Sequence, residues 1–211
     1  MIEIDIDVWK RKEHFLFFHG MDYPQYNICF NLDITGLLKS IKHKRLPFNF
    51  TMMYLSTLSA NEVEEFRYRI RNSKVILHEM VHPSFTYLDG KSDYFKFVTA
   101  EMKNGLKEFV EEARNKSSRQ ETFFGLEELS GRDDFIFHTA IPWISFTHLS
   151  HTINLNKDDA IPRISWGKYF EDREKILLPY SVQVNHAFVD GIHIARYKER
   201  LETMMERIND L

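Results

Sequence analysis

Residues 181–193 read SVQVNHAFVDGIH, and this stretch indicates how the chain is organised. SVQV continues the apolar run that begins at Ile176, so the two together predict a strand anchored in a sheet. His186 follows at the end of that strand. Asp190 and Gly191 then provide a turn and a helix start, where the Asp190 carboxylate can act as a cap. The sequence therefore predicts a strand, a rigidly placed imidazole and a helix in direct succession.

The helix that follows is predicted from GIHIARYKERLETMMERI (191–208). Its apolar residues recur every three or four positions, which is typical of one buried helix face. This face comprises Ile194, Tyr197, Leu201, Met205 and Ile208. We therefore expect the helix to pack on the sheet that contains the strand before it.

Strand-like and helix-like segments alternate irregularly in the rest of the chain. YNICFNLD (26–33) predicts a strand, with Asp33 able to cap a short helix, and residues 48–66 predict a long helix. Residues 133–149 are strand-like but interrupted by Pro142, and residues 173–188 predict either two strands or one bent strand. Together they favour an α/β sandwich with a mixed β-sheet.

Two further segments carry more specific expectations. Residues 72–90 predict a strand, a break at Pro83 and a second strand that ends at Asp89-Gly90. Residues 95–116 predict an amphipathic helix because four apolar residues fall in one stripe, namely Phe97, Met102, Leu106 and Phe109.

Composition excludes several classes of protein. The 211 residues carry a net charge of −3 and are 43% hydrophobic, which predicts a well-developed core and gives no basic footprint for nucleic acid. The single cysteine, Cys29, excludes an internal disulfide. Because no linker, secretory signal or membrane-length apolar run is present, we expect one domain over residues 1–211 and a cytoplasmic location without membrane partners.

A possible zinc motif, HEMVH at residues 78–82, is a chance match to H-E-x-x-H. That chemistry requires a helix, which places both imidazoles on one face. The flanking residues favour strand, and Pro83 disfavours helical geometry at His82. We therefore expect no metal site and treat both His78 and His82 as ordinary strand or turn residues.

SVQVNHAFVDGIH resembles the His-x-x-x-Asp-Gly motif of the type A chloramphenicol acetyltransferases. The wider fold superfamily includes the catalytic domains of dihydrolipoyl acyltransferases. Other segments resemble this family in the same order, from residue 7 to about residue 200. They are DVWKRKEHF (7–15), LDIT (32–35), HPSFTYL (82–88), AIPWISFT (140–147), GKYF (167–170) and LLPYSVQV (177–184).

The resemblance implies the roles of four residues. His186 corresponds to the general base that removes a proton from the hydroxyl of the acceptor, which then attacks the thioester of acetyl-CoA. Asp190 corresponds to a structural carboxylate that pairs with an arginine, here Arg11. Thr139 stands where the family usually has a serine that donates to the oxyanion, so it keeps the hydroxyl and adds a methyl group.

The resemblance also implies binding residues. Residues in family positions that bind coenzyme A are Trp143, Ser165, Lys168 and Tyr169. Residues in family positions that touch the acceptor are Phe17, Phe18 and Phe95. The sequence departs from the family at Asn185, where many members have a second histidine, and at Phe18, where the family often has tyrosine. Residues 114–134 resemble nothing specific, and we expect them to contribute to one wall of the pocket.

As a whole, the resemblance implies a chloramphenicol acetyltransferase-like two-layer sandwich that forms a homotrimer with active sites between subunits. It implies acetyl-CoA as co-substrate, chloramphenicol as acceptor and antibiotic resistance as the role. Two alternatives remain open: the same acetyl transfer to a different small hydroxylated acceptor, and a non-catalytic homologue that binds coenzyme A or a small molecule.

Overall fold

The longest strand, Lys175–Asn185, lies inside a mixed sheet and ends directly before His186. The computed structural model describes residues 1–90, 92–125, 129–152 and 155–210. In chain order the elements are β1 Ile2–Glu3, α1 Lys12–His19, β2 Gln25–Asp33, α2 Thr35–Lys44, α3 Phe48–Asn61, a 3₁₀ turn Glu64–Arg67, β3 Tyr68–Arg71, β4 Lys74–Leu77, β5 His82–Tyr87, β6 Lys96–Thr99, α4 Leu106–Arg119, β7 Phe135–Ala140, β8 Arg163–Trp166, β9 Phe170–Asp172, β10 Lys175–Asn185 and α5 Gly191–Glu206.

The main sheet has the strand order β2-β10-β8-β7-β5-β6, and β9 pairs with β10 on the same edge as β8. Strand β7 runs parallel to both β5 and β8, whereas the other pairs are antiparallel. Strands β1, β4 and β3 form a small separate sheet. The predicted mixed α/β sheet is therefore confirmed, and residues 175–185 form one continuous strand.

The apolar face of the main sheet packs on helices. Tyr180, Val182 and Val184 alternate along β10 and are fully buried. The Tyr180 hydroxyl hydrogen-bonds Ser56 of α3 at 3.0 Å and Tyr197 of α5 at 2.6 Å. These contacts join the helix layer to the sheet, so the predicted two-layer sandwich is confirmed.

The opposite face of the same strands is polar and is covered by residues 141–152 and 155–162. Gln183 accepts a hydrogen bond from the backbone of His151 at 3.2 Å. The Asn185 amide donates to the carbonyls of Lys157 and Asp159, both at 3.1 Å. These hydrogen bonds to the backbone of residues 151, 157 and 159 hold those residues against the sheet.

Helix α5 presents the predicted apolar face. All five residues of the predicted stripe are buried, and the helix begins directly after Asp190. Asp33 was expected to cap the next helix, but the N-cap residue is Ile34 and no side chain caps it. The Asp33 carboxylate instead accepts hydrogen bonds from the backbone and hydroxyl of Thr35, the first helical residue, at 3.1 and 2.7 Å.

Two local predictions were wrong. Residues 95–116 were expected to form one helix, but Lys96–Thr99 is strand β6 and helix α4 begins only at Leu106. Pairing with β5 overrides the helical spacing, because β6 buries Val98 and Thr99 in that position. Pro83 was expected to break the chain, but it lies inside β5, and the break falls at residues 78–81.

The HEMVH segment is not helical. His78 lies in a loop and His82 is the first residue of β5. Across the described ranges, no group of three or more potential ligands could hold a metal ion. No helix in these ranges is long and apolar enough to span a bilayer.

Candidate active site

The imidazole of His186 is held between aromatic rings at the end of β10. Its backbone N–H donates to the carbonyl of Pro24 at 2.8 Å. The imidazole stacks on Phe18 of α1, with ring centroids 3.8 Å apart and planes 12° apart, and lies 4.5 Å from the ring of Tyr26. One third of the side chain remains exposed. The ring is thus fixed in orientation while part of it stays open to a substrate.

Arg11 clamps the turn that carries His186. Its Nη1 and Nη2 each donate to one oxygen of the Asp190 carboxylate at 2.6 Å. Its Nε donates to the carbonyl of Ala187 at 2.8 Å, and Nη2 also donates to that of His186 at 3.1 Å. These hydrogen bonds from Arg11 lower the pKa of Asp190 below its ordinary value. The predicted pair is present, and the guanidinium fixes the backbone on both sides of the turn.

The two ring nitrogens of His186 have different surroundings. Nδ1 lies 3.3 Å from Oδ1 of Asp190, a close electrostatic contact without hydrogen-bond alignment. Nδ1 is buried and has no hydrogen-bond partner among the described residues. Because Nδ1 is enclosed, Nε2 is the nitrogen that a substrate can reach.

Asp190 and His193 together fix the start of α5. The Nδ1 of His193 accepts a hydrogen bond from the backbone of Asp190 at 2.9 Å. Its Nε2 lies 3.3 Å from the Glu65 carboxylate, and burial lowers the pKa of His193. The helix start therefore holds the Asp190 backbone while its carboxylate binds Arg11.

Tyr26 belongs to this half of the site and was missed in the sequence. It pairs with Val184 across β2 and β10, which brings its ring next to His186. Its hydroxyl is buried without a partner among the described residues, and burial raises its pKa to about 12. Only the register of the two strands places it there, and no local pattern in the sequence indicates that register.

A cavity of about 730 Å³ lies beside β7 and β8, and three predicted site residues line it: Thr139, Trp143 and Phe95. Phe124 and Leu129 of the unassigned segment 114–134 also line it, as expected for a pocket wall. Residues 126–128 of that segment lie outside the described residues. Further lining residues that the sequence did not indicate are Phe97, Phe137, His151, Thr152 and Arg163.

Ser165 lies beneath this cavity. It is fully buried on β8, and its Oγ lies 2.8 Å from Nε2 of His151. His151 itself lines the cavity. Burial, and to a smaller extent the charge of Arg163, lowers the pKa of His151. The hydroxyl predicted at Ser165 is therefore covered by the imidazole of His151.

Lys168 and Tyr169 come directly after Gly167, where two loops of the chain lie in close contact. The backbone of Lys168 donates to the carbonyl of Ile144 at 2.8 Å and accepts from the hydroxyl of Ser145 at 2.5 Å. Gly167 permits this approach, since a Cβ there would lie 2.7 Å from the Ile144 oxygen. Tyr169 is half exposed. A second groove of about 450 Å³ lies alongside and is lined by Ser145, Phe170 and others.

Within a single chain, His186 and Thr139 lie far apart. Thr139 pairs with Ser165, and Ser165 pairs with Ser181 of β10. His186 lies five residues beyond Ser181, which corresponds to roughly 16 Å along the strand. Thr139 is also displaced sideways from β10 by two strand spacings of about 5 Å each. The predicted acceptor residues divide in the same way, because Phe17 and Phe18 accompany His186 whereas Phe95 lines the cavity.

Comparison with known proteins supports one family. A chloramphenicol acetyltransferase of Clostridium perfringens is 33% identical over 199 residues, covering 92% of this chain and 90% of that protein. Chloramphenicol acetyltransferase 3 of Escherichia coli is 28% identical over 206 residues, covering 96% and 95%. A solved chloramphenicol acetyltransferase superposes with a TM-score of 0.89 at 25% identity, covering 97% of this chain and 100% of that one.

More distant structures share the fold. The cubic core of a pyruvate dehydrogenase multienzyme complex superposes with a TM-score of 0.67 at 15% identity, over 100% of this chain and 93% of that one. The sequence model described as chloramphenicol acetyltransferase matches residues 1–202. With that match, the relatives and the structural superposition, this chain belongs to the chloramphenicol acetyltransferase family.

Proposed function

We propose that this protein is an acetyl-CoA-dependent O-acetyltransferase that transfers the acetyl group to a hydroxyl of chloramphenicol. The observation that carries the proposal is the arrangement of His186, which Phe18 holds in one orientation while its Nε2 stays reachable. An acyltransferase needs such a group, because an alcohol becomes a strong nucleophile only as it loses its proton. Family membership supplies the acceptor and the acyl donor.

The proposed reaction proceeds through a tetrahedral intermediate. Nε2 of His186 accepts the proton of the acceptor hydroxyl as the oxygen attacks the thioester carbonyl of acetyl-CoA. The Thr139 hydroxyl donates to the oxyanion that forms. The intermediate collapses to the acetyl ester, the carbon–sulfur bond breaks, and the protonated imidazole returns its proton to the thiolate. Arg11 and Asp190 act by holding the turn of His186 in place.

We propose that the chain acts as a homotrimer with each site between two adjacent subunits. The separation of His186 and Thr139 supports this assembly, since a second copy must bring its cavity to the imidazole of the first. A head-to-tail contact of this kind forms a closed ring when the rotation closes. Large apolar side chains exposed near both halves would be covered by it, among them Phe17, Trp143, Ile144 and Tyr94. The three-fold closure follows the family resemblance.

We propose that the loops around Gly167 bind coenzyme A. Trp143 and Tyr169 offer exposed rings to the adenine or the pantetheine, and Lys168 offers an ammonium group to a phosphate. The predicted contact of Ser165 with coenzyme A does not fit this arrangement, because its hydroxyl is buried and hydrogen-bonds His151. The whole chain, residues 1–211, is then a single acetyltransferase domain that works in the cytoplasm, and antibiotic resistance is the corresponding biological role.

Acetyl transfer to a different small hydroxylated acceptor is the second candidate. The cavity wall includes the polar side chains of Asp93, His151, Thr152 and Arg163 besides its aromatic rings. A screen of small alcohols against acetyl-CoA separates the two candidates, because only the true acceptor shows saturable turnover at low concentration.

Thiol release from acetyl-CoA by the purified protein, with and without chloramphenicol, tests the proposal. We expect rapid release that depends on the drug and is lost in His186→Ala. His43→Ala is the matched control, because His43 is exposed on α2 and belongs to neither half of the site. Release that continues unchanged in His186→Ala would exclude the base, and a wild-type protein without drug-dependent release would exclude chloramphenicol as acceptor.

A further inference from the structure

His151 and Ser165 form a polar pair in the wall of the cavity. Ser165 is fully buried on β8, and His151 is the one hydrogen-bond partner of its hydroxyl among the described residues. His151 is itself held from behind, because its backbone N–H donates to Gln183 at 3.2 Å. It lines the cavity of about 730 Å³ together with Thr139. The imidazole therefore lies between the buried hydroxyl and the space open to a ligand.

The buried hydroxyl determines which nitrogen of His151 carries the proton. If Nε2–H donated to Ser165, the serine proton would be buried without an acceptor, which costs free energy. If Ser165 donates to Nε2 instead, every buried group of the pair is satisfied. The proton of the neutral imidazole then lies on Nδ1, which has no hydrogen-bond partner among the described residues. The pair thus leaves one N–H group free.

We propose that His151 is a specificity-determining residue of the acceptor cavity and that its Nδ1–H donates to an oxygen of the bound acceptor. Aromatic rings dominate the rest of the wall, including Phe95, Phe97, Phe124 and Phe137. A donor whose direction is fixed by its own hydrogen bond, placed beside these rings, selects the orientation of an aromatic acceptor that carries polar groups. Ser165 acts through His151, because its hydroxyl keeps the imidazole in the donating tautomer. This inference rests on the proposed function, in which the cavity receives the acceptor.

Three substitutions at one position test the role. His151→Leu removes both ring nitrogens, His151→Asn keeps an amide near the position of Nδ1, and His151→Gln keeps one near the position of Nε2. The constants to measure are KM for chloramphenicol, KM for acetyl-CoA and kcat. We expect KM for chloramphenicol to rise about 3- to 10-fold in His151→Leu, as for one lost hydrogen bond. KM for acetyl-CoA should stay within about 2-fold.

The variants His151→Asn and His151→Gln distinguish a hydrogen bond to the acceptor from the hydrogen bond to Ser165. We expect His151→Asn to recover most of the affinity for chloramphenicol and His151→Gln to recover little. His148→Leu is the control, because His148 is exposed in the same segment and does not line the cavity. Equal recovery by both amides, or a KM for chloramphenicol that does not change in His151→Leu, would overturn the inference.

Binding of chloramphenicol measured by calorimetry without acetyl-CoA separates this inference from the proposed function. A wild-type protein that binds the drug without acetylating it refutes the proposed reaction, and the dissociation constants of the variants then decide the role of His151. A wild-type protein that does not bind the drug overturns both.

Discussion

The guanidinium of Arg11 contacts both carboxylate oxygens of Asp190 at 2.6 Å, across 179 positions of sequence. The same guanidinium donates to the carbonyls of His186 and Ala187. The pair therefore joins the N-terminal segment to the turn that carries the imidazole. Its role is to fix the backbone, since Asp190 lies beside the enclosed Nδ1 of His186 and makes no hydrogen bond to it.

Asp190→Asn should reduce both stability and activity. The substitution removes one partner of a largely buried ion pair and leaves the Arg11 charge unmatched, which we expect to cost about 2–4 kcal/mol of unfolding free energy. For a chain of this size that corresponds to a fall in Tm of roughly 4–16 °C. Thermal unfolding and thiol release on the same preparation measure both effects. A variant as stable as the wild type would contradict a structural role for the pair.

Phe18→Ala should lower kcat more than it changes either KM. Removing the ring that stacks on His186 at 3.8 Å lets the imidazole turn, and misplacing a catalytic group by about 1 Å can cost about 100-fold. Phe18→Tyr is the matched control because it keeps the ring. Steady-state kinetics at saturating acetyl-CoA measure the difference. If both variants keep the wild-type kcat, stacking does not position the base.

Mixing two inactive variants should restore activity if each site lies between subunits. His186→Ala and Thr139→Ala are each expected to lose about 100-fold or more in kcat. In a random mixture of equal amounts, one half of sites have an intact His186 and one half of those also face an intact Thr139. We therefore expect about one quarter of wild-type activity after unfolding and refolding the two together.

The control for this experiment uses the same two variants in a second preparation. The two variants refolded separately and then combined should stay inactive, because their subunits are not exchanged. Failure of the co-refolded mixture to exceed this control would place both groups in one subunit.

His138 should make the protein less stable in mild acid. Burial lowers its pKa to about 3 in the folded protein, from an ordinary value of 6.5. Between these values the unfolded chain binds one more proton than the folded chain, so the free energy of unfolding falls as the pH falls. The stabilisation is present above about pH 6.5 and is lost towards pH 3, by up to about 1.4 kcal/mol per pH unit.

His138→Gln isolates this effect. Glutamine does not titrate and can still hydrogen-bond Ser56, the partner of His138 at 3.0 Å. Denaturant unfolding at pH 7.5, 6.0 and 5.0 should show a shallower pH dependence in the variant, while the other histidines contribute equally to both proteins. Identical slopes would mean that His138 does not titrate between folded and unfolded states.

Local patterns in the sequence were sufficient to predict the secondary structure around the motif SVQVNHAFVDGIH (181–193). The strand before His186, the turn at Asp190 and the apolar face of α5 are all confirmed. These features depend on neighbouring residues, whose spacing directly reflects burial on one face. Residues 95–116 show the limit of predicting secondary structure from local spacing, since pairing of β6 with β5 overrode their helical pattern.

The composition of the site was decided by tertiary structure. Tyr26 reaches His186 only because β2 and β10 pair in one particular register. His151 reaches Ser165 only because residues 141–152 fold over the polar face of the sheet. The separation of His186 from Thr139 likewise depends on strand order. The sequence by itself determined the family and the pairing of Arg11 with Asp190, and it predicts His186 as the base. Contacts between residues far apart in the chain depend on pairing and packing energies summed over the whole fold, and no local pattern records them.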